Sequence, residues 1–207
     1  MVGNYEVNVQ TGKFPQKIAT YFDETMSGLL GASYEPVAYL GFQVVNGINH
    51  ALLCEQTVLT GRDTRNVVVV VANEKDEGLS LISIERVVES GSELGGLAVN
   101  VQTRIPKDAQ AALDRAFKGF VGSKVEPFAL LATQVTKGVN YVFAAELSPV
   151  SANPVKTAVI VTVNSMTGDV SFADLLTSRH DVLRLGYAFT WLKRQDTSDG
   201  KPLSAWV

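Results

Sequence analysis

One cysteine, Cys54, is all this 207-residue chain contains, which excludes an intrachain disulfide and a cysteine-rich metal site. Long apolar runs are missing too. The longest, Asn66 to Ala72, reads NVVVVVA and has the length and β-branched content of a strand, far short of the roughly eighteen residues a membrane helix needs. Excess positive charge is absent: the net charge is −3, with no stripe of Lys/Arg interleaved with aromatics, so neither nucleic acid nor a membrane is an expected partner. The opening residues MVGNYEVNVQ lack the basic start and apolar stretch of a secretory leader, so the expected location is cytoplasmic. No phosphate loop, zinc-ligand spacing or dinucleotide fingerprint occurs, so no cofactor, metal or catalytic residue is expected and the chain does not read as an enzyme.

What the chain does have is a repeat. At a shift of 91, Gly28–Thr57 falls on Gly119–Ser148 with eleven identities in thirty positions, against roughly two expected from average usage. The matched residues include Gln43, Val44, Gly47, Asn49 and Glu55, and further on Asn73 meets Asn164. Upstream, VNVQT occurs at Val7–Thr11 and again at Val99–Thr103, offset by one more residue. Two copies therefore fill the chain, residues 1–92 and 93–207, with the boundary in the Gly/Ser-rich stretch Glu89–Gly96.

Each copy shows the same order of elements. Ile18, Phe22, Met26 and Leu29 recur at helical spacing, as do Ala109, Leu113, Phe117 and Phe120, and Gly31 and Gly122 are placed to stop the two helices. Strand-like runs follow at 36–44, 47–60, 66–73 and 79–87, and again at 127–135, 138–147, 155–164 and 169–175, behind a short leading strand, YEVNV. The expected class is α+β: two repeats, each one helix packed across a curved antiparallel sheet. Five successive valines, Val67–Val71, ask for burial on both faces of their strand. Either the other copy covers the outer face, or a homodimer forms through this sheet.

The helix, the strand, Gln-x-Val-x-Gly and the "NY" that leads into a long hairpin together resemble the cystatin superfamily of cysteine-protease inhibitors. Gln43, Val44, Val45, Asn46 and Gly47 fit its Gln-Val-Val-x-Gly motif, and Gln134, Val135, Thr136, Lys137 and Gly138 fit with threonine in place of the second valine. The resemblance implies two cystatin-like repeats and reversible inhibition of papain-like cysteine proteases, the protein partner being held by a wedge of Gly3, the Gln43–Gly47 loop and the Gln134–Gly138 loop. The later hairpins, Asn73–Gly78 and Asn164–Asp169, lack the family's tryptophan, and Glu74, Asp76 and Glu77 would repel an acidic cleft. The alternatives are a non-inhibitory scaffold or binding module, in which Gln43, Gln134, Gly47 and Gly138 serve the sheet, and a latexin-like inhibitor of metallocarboxypeptidases.

Other residues carry weaker signals. His50 and His180 lie in different copies, and His50 reads as a satisfied strand imidazole where the second copy has Tyr141. Cys54 reads as a small buried hydrophobe, about 13 Å from His50 along an extended strand and too far for thiolate chemistry. Glu55 and Glu146 recur as solvated or structural carboxylates. In the C-terminal stretch, Leu183, Leu185, Tyr187, Phe189 and Trp191 alternate as in a strand, while Val182, Leu185, Phe189 and Leu192 share a helical face.

Overall fold

The computed structural model describes residues 4–12, 14–59, 64–76, 78–91 and 95–176. The chain runs β1 (Glu6–Thr11), α1 (Gln16–Ser27), β2 (Ala32–Val45), β3 (Gly47–Val58), β4 (Thr64–Lys75) and β5 (Gly78–Glu89). It continues through β6 (Ala98–Gln102), α2 (Lys107–Ala116), β7 (Ser123–Thr136), β8 (Gly138–Pro149), β9 (Thr157–Asn164) and β10 (Val170–Asp174). Strands β1 to β5 form one antiparallel sheet in sequence order, and β6 to β10 form a second. The C-terminal alternation, Gly3, Glu77 and His180 lie outside the described residues.

The α+β expectation of two cystatin-like helix-on-sheet repeats is corrected here. Among the described residues 59% are in strands and 13% are helical, so the described protein is mostly β, two five-stranded sheets with two helices. The physical reason lies in the core. Its largest cluster sits between the sheets, where Val37, Leu40, Leu53, Val67 and Val69 of the first meet Leu131, Val142, Ala144 and Ile160 of the second. Sheet-on-sheet burial therefore organises the fold, and each helix covers an outer face as a smaller addition.

Ile18, Phe22 and Met26 of α1 pack on Tyr39, Leu52, Cys54, Val68 and Val70, and Ala109, Ala112 and Leu113 of α2 pack on Leu130, Tyr141, Phe143 and Val161. The valine run follows directly: Val68 and Val70 face α1 while Val67 and Val69 face the other sheet. Each such side chain contributes about 1.5–3 kcal/mol when fully buried. The other copy covers the face of β4 turned away from α1.

Both helices end before the glycines expected to stop them. α1 closes at Ser27, where the Gly28 and Leu29 amides turn back to the Met26 carbonyl, and α2 closes at Ala116 with the Phe117 amide on Leu113. Gly31 and Gly122, both at positive φ, instead redirect the chain into β2 and β7. Phe117 and Phe120 meet edge to face at 5.2 Å, so they pack the turn and do not extend the helix.

Candidate functional site

The sequence points to the β2–β3 and β7–β8 hairpins, and in both halves their bases are fixed by the same row of amides. Gln43, Asn49 and Asn73 lie directly opposite one another on three adjacent strands, as do Gln134, Asn140 and Asn164. Asn49 Nδ2 donates to Gln43 Oε1 at 3.2 Å, and Asn73 Nδ2 donates to Asn49 Oδ1 at 2.7 Å. The second half repeats this with 3.0 Å from Asn140 to Gln134 and 2.7 Å from Asn164 to Asn140. Side-chain amides carry both donor and acceptor, so a row of them satisfies itself across strands.

The glycines are needed by the backbone. Gly47 has φ +103°, and a Cβ there would stand 2.5 Å from the Glu74 carbonyl oxygen. Gly138 has φ +94°, and its Cβ would meet Met166 Cγ at 2.8 Å. Each hairpin turn thus lies against the next hairpin, where only glycine fits without movement. In the second half, Ser165 Oγ accepts from the Val139 amide, and the Asn164 side chain accepts from the Met166 and Thr167 amides.

What remains outward is a small apolar tip. Val44 is 63% exposed and Val135 74% exposed; Asn46, Thr136 and Lys137 are exposed beside them, and Val45 is half-buried. Gln43 and Asn49 line a cleft together with Thr157 and Asp174, which lie at the end of the second sheet away from its own hairpin. The two tips therefore point to opposite ends of the molecule, and one partner cleft does not engage both. Gly95, just ahead of β6, accepts from Gln134 Nε2 at 2.8 Å, so loop and preceding segment are brought together in the second half.

A second constellation was not foreseen. Tyr39 OH and His50 Nδ1 stand 2.9 Å apart, His50 Nε2 donates to Glu74 Oε2 at 3.0 Å, and Lys17 of α1 pairs with the other Glu74 oxygen. A carboxylate oxygen only accepts, so His50 Nε2 is the donor of the Glu74 bond. The Lys17 ammonium and then the His50 bond hold Glu74 below the usual carboxylate range. Burial, followed by the Glu74 and Glu6 charges, pushes the Tyr39 phenol up to about 12.

With Tyr39 only 3% exposed, this chain of groups ties the helix to the sheet. His50 is satisfied at both ring nitrogens. Burial pushes the Cys54 thiol up as well, consistent with an inert hydrophobe. Glu74 is thus held inward and is no free loop charge, which corrects the expectation that it would repel a partner. In sequence, the signal available was the spacing of Lys17, His50 and Glu74, but their meeting depends on the strand register.

The repeated carboxylates are structural. Arg65 pairs with Glu55 at 3.4 Å and Lys156 with Glu146 at 2.8 Å, at matching positions of the two copies. Among the described residues no group of three or more His, Cys, Asp or Glu is placed to hold a metal ion, and no helix is long and apolar enough to cross a membrane. Comparison with protein-family models, with curated proteins and with solved structures finds no match.

Proposed function

We propose that this protein is a non-enzymatic binding module that presents rigid apolar hairpin tips to protein partners. The observation that carries the reading is the exposure of Val44 and Val135 on hairpins whose bases are fixed by identical amide rows. A preordered tip loses little conformational freedom on docking, and its apolar side chain gains by leaving water. The opposed directions of the tips favour two separate partners over one shared cleft.

Reversible inhibition of papain-like cysteine proteases is the second reading, favoured by the exposed Val44 and Asn46 of the first hairpin. Gly47 is not the residue to probe, since its loss acts on the backbone. The test titrates papain, and a metallocarboxypeptidase in parallel, with the protein and its Val44→Ser and Val135→Ser variants. Papain inhibition lost in Val44→Ser at an unchanged unfolding midpoint supports the inhibitor. Absence of inhibition by the unaltered protein ends that reading. The module reading fails if neither variant weakens capture of any partner retained by the unaltered protein.

A further inference from the structure

Asn46 is the one asparagine of the chain that precedes a glycine. The fold treats it unlike the others. Asn49, Asn73, Asn140 and Asn164 have their carboxamides held in the two amide rows, and Asn66, only 1% exposed, donates to Gln56 Oε1 at 3.1 Å. Asn8 and Asn100 are exposed, but they lie within β1 and β6 and precede valines. Asn46 is exposed between β2 and β3, outside the row, with Gly47 behind it.

An asparagine carboxamide is an electrophile for the backbone nitrogen that follows it. The Gly47 nitrogen loses its proton and bonds to Asn46 Cγ, the bond from Cγ to the side-chain nitrogen breaks, and ammonia leaves with that proton. Water then opens the cyclic imide. Addition at Cγ gives aspartate, and addition at the residue 46 carbonyl carbon gives isoaspartate, whose backbone runs through Cβ and Cγ. Nothing is oxidised or reduced. A side chain on the following residue shields the attacking nitrogen, and glycine has none.

The fold fixes the glycine and leaves its neighbour open. A φ of +103° and the Glu74 carbonyl oxygen, 2.5 Å from where a Cβ would stand, hold position 47 to glycine. Position 46 has no such constraint, since the second copy has Lys137 there. The second tip, Lys137–Gly138, therefore has no reactive counterpart. Either product sets a carboxylate two residues from the exposed Val44, and isoaspartate also adds a backbone atom just ahead of a glycine packed against β4.

We propose that Asn46 is a site of spontaneous deamidation in the folded protein, with water the sole co-reactant, so that the first hairpin tip turns acidic while the second keeps its lysine. The test holds the full chain, folded and in urea, in mildly alkaline buffer over several weeks, then digests it at acid pH for peptide mass spectrometry. Methylation by an isoaspartate methyltransferase distinguishes isoaspartate from aspartate. In the folded protein, conversion at Asn46 is expected to run several-fold faster than at Asn8 or Asn100, with methyl label on the Asn46 peptide and none on it in Asn46→Lys. Conversion at Asn46 no faster than at Asn8 and Asn100 overturns the proposal. Conversion at Asn46 in urea alone overturns it too, since the folded turn would then shield the amide.

Discussion

The two halves agree at one end and differ at the other. Around the hairpin tips, Gln43, Gly47, Asn49 and Asn73 match Gln134, Gly138, Asn140 and Asn164 residue for residue, with the same hydrogen bonds. At the helix anchors, Lys17, Tyr39, His50 and Glu74 stand where the second half has Asp108, Leu130, Tyr141 and Ser165. There a single bond, Tyr141 OH to Asp108 Oδ2 at 2.8 Å, replaces the four-member chain. The first set is constrained by the positive φ of Gly47 and Gly138 and by the cross-strand register that joins the amides into a row. The anchor only has to satisfy its own polar atoms, and two unlike solutions do so. Asp108 also suits the positive N-terminus of its helix, whereas Lys17 opposes its own and depends on Glu74.

The largest expected effect tests whether the shared glycines are equal. Gly47→Ala sets a Cβ against the Glu74 carbonyl at positive φ, and a loss of about 3 kcal/mol is expected in urea unfolding. Gly138→Ala meets side chains alone, Met166, which is 66% exposed and able to swing away, and the Ser165 hydroxyl at 3.1 Å, so a loss of about 1–2 kcal/mol is expected. Equal losses would mean that the two turns are not held as described.

His50→Ala should cost about 2 kcal/mol, since it strands the buried Tyr39 hydroxyl and one Glu74 oxygen together. Tyr141→Phe should cost about 1 kcal/mol or less, because Asp108 keeps the Ala109 amide and solvent. Thermal midpoints of the two variants against the unaltered protein check the order. Asn49→Ala and Asn140→Ala probe the shared end, and each should lose about 1–2 kcal/mol by the same amount, the double variant adding both losses. A difference above about 1 kcal/mol between them would break the equivalence of the two amide rows.

Much of this fold was legible because strand spacing and repetition are local signals. The eight main strands were expected within a few residues, and Val67–Val71 disclosed two buried faces before any partner was known. The mostly β character was missed because the helical face of Ile18, Phe22 and Met26 is conspicuous in sequence, whereas the larger inter-sheet core is assembled from short runs far apart. Gln43, Asn49 and Asn73 were visible as identities, but their joining into a row depends on cross-strand register. The helix ends were misplaced because Gly31 and Gly122 have the positive φ of a helix stop yet act one turn later.

The smallest effect is one of pH, and it separates the anchors again. Tyr39 keeps its proton in the folded state up to about 12, while the unfolded chain gives it up near the ordinary tyrosine value of 10.0. A raised acid pKa means the unfolded state binds fewer protons in that window, so stability falls as pH rises from about 10 to about 12. Glu74 acts in the opposite range: its lowered pKa contributes stability above the ordinary carboxylate value and loses it as pH falls through the folded one. Tyr39→Phe should flatten the alkaline limb and leave the acid limb, and Glu74→Gln should flatten mainly the acid limb. Leu130 occupies the Tyr39 position of the second half, so Leu130→Ala should lower the whole profile without changing either slope. An alkaline limb unchanged in Tyr39→Phe, followed by tyrosinate absorbance beside the unfolding signal, would move that dependence to Tyr141, whose phenol is raised by burial and then by Asp108.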